Sequence, residues 1–162
     1  MRVAITGSKG QLGQALARQL HGHEVLPIDL PEHDITALGA ISAAVKAFQP
    51  DLIVHGAAMT DVDGCERDPE MAYRINVLGT RNMAVTALQS ACPLVYISTD
   101  YIFGGTKGAP YWEYDDADPL SVYARTKWVG EQIVRHHVPQ HYVVRIAWLY
   151  GDGPRNFVRT IL

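Results

Sequence analysis

The sequence lacks the features that mark membrane, secreted and nucleic-acid-binding proteins. No apolar run reaches the roughly 18 to 20 residues that a bilayer-spanning helix needs. The start of the chain turns polar at Thr6-Gly7, too early for a signal peptide. The 14 basic and 17 acidic residues give a formal net charge of −3, so no basic excess is available to attract nucleic acid. We therefore expect a cytoplasmic protein with neither a membrane partner nor a nucleic-acid partner.

Cysteine is scarce, and histidine is not spaced for metal binding. Cys65 and Cys92 belong to no C-x-x-C motif, which predicts two buried, reduced thiols and no disulfide. The seven histidines and the acidic residues of 113–118 show no spacing typical of a metal site. We expect histidines at the surface or at helix ends, a solvated acidic loop and no bound metal.

The sequence does contain a regular alternation of segments within 162 residues that are 48% hydrophobic, enough for one domain with a sizeable core. Short apolar runs, typical of buried strands, alternate with longer runs of helical period. The predicted strands cover 3–6, 24–28, 52–55, 94–98 and 141–148, and the predicted helices cover 11–20, 35–48, 71–91 and 122–138. This order predicts an α/β fold, a doubly wound parallel sheet of the Rossmann type with helices on both faces.

A glycine-rich loop joins the first strand to the first helix. It reads G-x-x-G-x-x-G through Gly7, Gly10 and Gly13. In such loops the glycines allow a tight turn, a close backbone approach to a pyrophosphate and close packing of the helix on the strand. The amides near Gln11 and Leu12 would then face the phosphates from the helix N-terminus. The strand before the loop and the helix after it favour dinucleotide binding over a plain turn.

Asp29 ends the second predicted strand, 22 residues after Gly7. An acid at this spacing accepts hydrogen bonds from an adenosine ribose and repels a 2′-phosphate, which favours NADH over NADPH. Lys9 points the other way, because a cation in the loop suits a 2′-phosphate. A solvated turn acid is the alternative interpretation of Asp29.

Tyr123 and Lys127 form Y-x-x-x-K on a predicted helix, so both lie on one helical face. A nearby ammonium is expected to lower the pKa of the phenol, which would let Tyr123 exchange a proton with a substrate oxygen. Thr99 follows the fourth strand, at the edge where ligands bind to parallel sheets. Its hydroxyl could hold the substrate oxygen, and the neighbouring Ser98 is the alternative.

Six stretches together resemble one family, the dTDP-4-dehydrorhamnose reductases of the extended short-chain dehydrogenase/reductases. They are ITGSKGQLG at 5–13, HDIT at 33–36, GAAMTDVDGCE at 56–66, YISTDYIFGGTKGAPY at 96–111, PLSVYARTKWVGE at 119–131 and RIAWLYGDGPRNFVRTIL at 145–162. The resemblance implies an NAD(P)H-dependent oxidoreductase of nucleotide-sugar biosynthesis. It would reduce the C4 keto group of dTDP-4-dehydrorhamnose to give dTDP-rhamnose.

The resemblance also implies roles for individual residues. Thr99, Tyr123 and Lys127 would be catalytic, Lys127 would also hold the nicotinamide ribose, and Asn76 would support the site. Further cofactor contacts would come from Asp34, Ile35, Ala57, Ala58 and Met59. The sugar nucleotide would contact Thr60, Val62, Thr99, Tyr101 and Trp148.

The resemblance covers the whole chain but roughly the first half of such an enzyme. We therefore expect residues 1–162 to be a truncated dinucleotide-binding domain, with the substrate domain largely absent, which binds cofactor but turns over sugar nucleotide negligibly on its own. A helix is predicted over 154–162, with an apolar face that invites self-association, and a homodimer stays open. Two other functions stay open as well: a reductase of another nucleotide sugar, and a non-catalytic NAD(P)-binding subunit resembling the regulatory subunit of methionine adenosyltransferase.

Overall fold

The structure is a computed structural model that describes residues 1–151 and residue 161. The strands are β1 (Arg2–Thr6), β2 (Glu24–Ile28), β3 (Leu52–His55), β4 (Leu94–Thr99) and β5 (His141–Ile146). The helices are α1 (Gln11–Gln19), α2 (Leu38–Phe48), α3 (Val62–Arg67), α4 (Pro69–Tyr73), α5 (Thr80–Gln89) and α6 (Val122–His137). A π-helical segment, Arg74–Gly79, joins α4 to α5, and a 3₁₀ turn, Asp100–Ile102, follows β4. The helix predicted over 154–162 lies outside the described residues, apart from Ile161.

The five strands form one parallel sheet in the order β2-β1-β3-β4-β5. Ala4 pairs with Leu26 on one side and with Ile53 on the other, and Ile53 pairs with Leu94. The chain therefore moves outward in one direction from β1 to β2 and in the other direction from β3 to β5. This reversal between β1 and β3 opens a crevice at the carboxyl ends of the strands, where α/β folds bind ligands.

Helices cover both faces of the sheet, which confirms the predicted doubly wound fold. On one face α2, α5 and α6 bury a core that includes Ile41, Met83 and Val134. On the other face Leu16 and Leu20, from α1 and its end, pack on a smaller core. The alternation of side chains along each strand supplies both cores from the same short runs.

The predicted helix over 71–91 is not uniform, because the π-helical segment interrupts it. Gly79 ends that segment where a Cβ would lie 2.6 Å from the Ile35 side chain, so glycine permits the close approach. The helix predicted from residue 35 begins instead at Leu38, since the Asp34 carboxylate accepts the Thr36 amide and forms a turn. The sequence analysis missed α3. No helix of the described residues is long and apolar enough to cross a bilayer.

Candidate active site

The glycine loop between β1 and α1 is a tight turn held by its own backbone. Gly7 has a φ of 70°, a conformation that side chains disfavour, and its carbonyl accepts the Gly10 amide at 3.0 Å. A Cβ on Gly13 would overlap the Gly7 carbonyl oxygen, so α1 can pack this closely only on glycine. The loop thus brings the first turn of α1 to the carboxyl end of β1.

The loop forms one wall of a cavity of about 510 Å³, here called the first cavity. Its lining includes every predicted cofactor residue except Met59, and it reaches Tyr123 and Lys127 on α6. The predicted site residues that line it are Gly7, Gly10, Gln11, Leu12, Gly13, Asp29, Asp34, Ile35, Ala57, Ala58, Thr60, Tyr123 and Lys127. Residues up to 120 positions apart in sequence therefore share one crevice.

Asp29 and Lys9, whose charges predict opposite cofactor preferences, are hydrogen-bonded to each other. One oxygen of the Asp29 carboxylate accepts the Lys9 backbone amide at 2.7 Å. The Lys9 ammonium turns away to Glu32, at 2.8 Å, and to the Leu30 carbonyl. The cation is therefore paired outside the loop, while the Asp29 carboxylate stays on the cavity wall.

Asn76 lies in the π-helical segment and clamps the backbone of Met59. Its side-chain oxygen accepts the Met59 amide at 2.7 Å, and its amide donates to the Met59 carbonyl and to Thr126 of α6. Asn76 thereby fixes the segment after β3 against the helix that carries Tyr123. This geometry fits the supporting role that the resemblance implies.

Tyr123 meets Thr99 at the end of β4. Thr99 ends β4 near the phenol, and its hydroxyl donates to the Asp100 carboxylate at 3.2 Å and accepts the Tyr101 amide at 3.2 Å. The Tyr101 ring packs edge-on against the Tyr123 ring with centroids 5.9 Å apart. Burial raises the pKa of Tyr123, and the nearby Thr99 hydroxyl opposes the rise. The expected lowering of this pKa by Lys127 is wrong for this structure, because desolvation dominates.

The Ser98 hydroxyl is bound to a neighbouring side chain of α6. It donates to the buried Glu131 carboxylate at 2.5 Å, although Ser98, unlike Thr99, is among the residues that line the first cavity. Glu131 lies four residues after Lys127, as Lys127 lies four after Tyr123. The sequence analysis missed it, although this repeated spacing marks one helical face.

Lys127 is buried beneath the first cavity. Its ammonium lies 4.2 Å from the centroid of the Tyr96 ring, and its backbone carbonyl accepts the Tyr96 hydroxyl. Burial lowers the pKa of Lys127 to about 7, and the Glu131 carboxylate opposes that fall. The ammonium is thus poised to change charge near neutral pH.

His55 corrects the prediction of surface or helix-end histidines. It ends β3 at 0% exposure, between the hydroxyls of Thr6 at 2.7 Å and Thr80 at 3.0 Å. The Thr6 hydroxyl also accepts the Ala57 amide on the cavity wall. Burial lowers the pKa of His55 to about 3, so the ring is neutral. β3 is a central strand with three consecutive buried residues, so the side chain of His55 lies inside whichever face it points to, a signal that histidine counting overlooks.

A second cavity, of about 720 Å³, lies on the other side of Tyr101. Its lining includes Val62 and Tyr101 of the predicted substrate residues, with Phe103, Trp112 and Arg145. Thr60 lines the first cavity instead, and Trp148, beyond β5, is 63% exposed. The predicted substrate residues are therefore spread over two neighbouring cavities and the exposed end of β5.

Both cysteines are buried and free, as expected, and burial raises the pKa of each thiol. Among the described residues no group of histidine, cysteine and acidic side chains has the arrangement of a metal site.

Comparison with known proteins shows the family to which the chain belongs. A family model described as "RmlD substrate binding domain" matches residues 1–162. The chain belongs to the RmlD substrate-binding domain family. The fold and the six quoted sequence stretches agree with that membership.

Three relatives show how far the similarity to the RmlD family extends. The chain is 37% identical to the Bacillus subtilis spore coat polysaccharide biosynthesis protein SpsK, covering 99% of this chain and 58% of that protein. It is 38% identical to the dTDP-4-dehydrorhamnose reductase of Aggregatibacter actinomycetemcomitans, covering 99% and 56%. The Bacillus anthracis dTDP-4-dehydrorhamnose reductase, solved in complex with NADP, superposes with a TM-score of 0.96 at 40% identity, covering 99% and 58%. The chain thus spans little more than half the length of these RmlD-like proteins.

Proposed function

We propose that the chain is the cofactor-binding and catalytic part of a nicotinamide-dependent reductase that reduces the C4 keto group of dTDP-4-dehydrorhamnose. The observation that carries the proposal is that the glycine loop, Tyr123 and Lys127 line one cavity, with Thr99 at the end of β4 near the phenol. The relatives named as dTDP-4-dehydrorhamnose reductases support this substrate.

The residues of the first cavity fit a dinucleotide. Gly10 precedes the N-terminus of α1, and Gln11 and Leu12 of the first turn line the cavity, where helix amides attract a pyrophosphate. Asp29 offers a carboxylate for the adenosine ribose, and Asp34 and Ile35 lie beside it on the wall for the adenine. Ala57 and Ala58 leave room beside Lys127 for the nicotinamide ribose.

Tyr123 acts as the general acid of the reaction. When bound, a reduced nicotinamide supplies a hydride to the keto carbon. Because burial raises the pKa of Tyr123, the phenol keeps its proton until an alkoxide develops beside it, and then donates that proton to the substrate oxygen. Thr99 orients the phenol and the substrate oxygen. The Lys127 ammonium stabilises the phenolate that remains, and solvent then returns the proton.

Asp29 and Lys9 bear on the choice between NADH and NADPH. The Asp29 carboxylate on the cavity wall favours a free 2′-hydroxyl, as in NADH. The Lys9 ammonium, paired with Glu32 at 2.8 Å, would have to leave that partner before it could meet a 2′-phosphate. We therefore propose that the chain binds both cofactors and prefers NADH, a choice that a titration with each can decide.

The test is reduction of dTDP-4-dehydrorhamnose by the wild-type chain and by Tyr123→Phe, followed through the loss of reduced nicotinamide. Deuteride transfer from labelled cofactor to the C4 position detects even slow turnover. We expect Tyr123→Phe to bind cofactor normally and to lose about 100- to 10,000-fold in rate, the size typical of general acid catalysis. A wild-type chain that binds cofactor and transfers no deuteride would contradict the proposed activity of this chain, and equal rates would remove Tyr123 from the mechanism.

A further inference from the structure

Glu131 is a carboxylate at 0% exposure on α6, the helix that carries Tyr123 and Lys127. One of its oxygens accepts the Ser98 hydroxyl at 2.5 Å and the Arg145 Nε at 3.0 Å. The other accepts Arg145 Nη2 at 2.8 Å. Burying a carboxylate is costly unless it is paired and hydrogen-bonded, and here both conditions are met.

Arg145 connects this carboxylate to the wall of the second cavity. Its third nitrogen, Nη1, donates to the Glu113 carbonyl at 3.0 Å, and its guanidinium lies 5.1 Å from the Phe103 ring centroid. Phe103 and Glu113 both belong to the segment between β4 and α6 that lines the second cavity. A single side chain from β5 therefore joins that segment to the face of α6 below Lys127.

We propose that Glu131 is a positioning residue for the reaction: it lies one helical turn after the equally buried Lys127 and favours its charged form, it holds the Ser98 hydroxyl on the wall of the first cavity, and through Arg145 it links α6 to the segment lining the second cavity. The roles of Tyr123 and Lys127 in this proposal rest on the proposed function. Glu131 itself lies below the reacting groups and acts through Lys127.

The negative charge of the Glu131 carboxylate favours the protonated form of Lys127. Burial lowers the pKa of Lys127 to about 7, and Glu131 opposes that fall. Without the carboxylate, Lys127 would lose its proton at a lower pH and could no longer stabilise a phenolate. Tyr123 on α6, His55 from β3 and Tyr96 from β4 are the other titratable groups near Lys127. The charged groups that meet the Glu131 carboxylate are Arg135 on α6 and Arg145 from β5.

The test is a lysine side-chain NMR titration of the whole chain. The sequence has four lysines, Lys9, Lys46, Lys107 and Lys127, so isotope-labelled lysine gives four side-chain signals, and Lys127→Met identifies the one of interest. In Glu131→Gln we expect the acid dissociation constant of the Lys127 ammonium to rise about tenfold, as a charge a few ångströms away predicts.

Two further variants keep this test decisive. Arg135→Gln is the matched control, because Arg135 meets the same carboxylate from the surface at 3.6 Å, and its Lys127 titration should stay within about twofold of wild type. Because Glu131→Gln leaves the Arg145 charge unpaired, the double variant Glu131→Gln/Arg145→Gln provides a neutral pair. It should show the same rise.

A Lys127 titration that is the same in wild type and in both Glu131 variants would overturn the proposal. In the reductase assay, the loss of rate at high pH should begin at a lower pH for Glu131→Gln than for Arg135→Gln. The NMR titration needs no ligand, so it decides the effect of Glu131 on Lys127 even if the wild-type chain reduces no keto sugar, a result that would contradict only the proposed function.

Discussion

The buried His55 makes the stability of the fold sensitive to mild acid. In the folded chain the ring is neutral between Thr6 and Thr80, with its pKa lowered to about 3. In the unfolded chain the ring takes up a proton near its ordinary pKa of 6.5. Protons therefore favour the unfolded state, so stability is complete above pH 6.5 and is lost as the pH falls from 6.5 toward 3.

The size of this loss follows from the difference in pKa. A pH of about 5 lies some 1.5 units below the pKa of the histidine in the unfolded chain. Protonation of the unfolded chain therefore lowers the free energy of unfolding by about 2 kcal/mol at this pH. Few other groups compete in this window. The carboxyl groups with a lowered pKa, Glu32, Asp34 and Asp115, have ordinary pKa values of 4.5 or below. The protonation of Lys127 differs between the folded and the unfolded chain mainly above pH 7.

The assay is urea unfolding followed by circular dichroism at about pH 7 and about pH 5. Wild type should lose about 2 kcal/mol between the two, whereas His55→Gln, which cannot take up the proton, should lose far less whatever its stability at neutral pH. His136→Gln removes an exposed histidine and should behave as wild type. Parallel losses in wild type and His55→Gln would refute the reasoning.

Two further predictions concern the first cavity and Thr99. Asp29→Ala should weaken NADH binding relative to NADPH binding by about tenfold, roughly the value of one hydrogen bond to a charged group. An unchanged ratio of the two dissociation constants would remove the ribose role of Asp29. Glu32→Gln, which removes the ionic partner of the Lys9 ammonium, should strengthen NADPH binding alone. Thr99→Ala should lower turnover on the order of 100-fold, since it removes the hydroxyl proposed to orient the phenol and the substrate oxygen, whereas Ser98→Ala should cost less than about tenfold. Equal losses in steady-state rate would contradict the assignment of Thr99.

The sequence could predict the fold because its signals are local. Short apolar runs and the glycine loop have fixed spacings, and parallel strands must place their carboxyl ends at one edge. The Tyr123–Lys127 pair was also predictable, because four residues make one helical turn. These rules were enough to bring most of the predicted cofactor residues to one cavity.

The remaining features depend on contacts between distant segments. Glu131 is buried only because Arg145 and Ser98 come from two other strands, and no local pattern shows that pairing. The pKa of Tyr123 is set by how deeply the phenol is buried, which spacing does not reveal. His55 looks like any other histidine in the sequence until β3 is placed between β1 and β4.

The most direct test of the account is calorimetric titration of the folded chain with NADH and with NADPH. We expect one dinucleotide to bind per chain, and we expect Gly10→Val, whose Cβ would lie 3.1 Å from the Gly7 carbonyl oxygen and crowd the glycine loop, to abolish binding. Gly39→Ala is the matched control, because a Cβ there meets open space, and it should bind as wild type does. A wild-type chain that is folded by circular dichroism and binds neither dinucleotide would contradict the central claim.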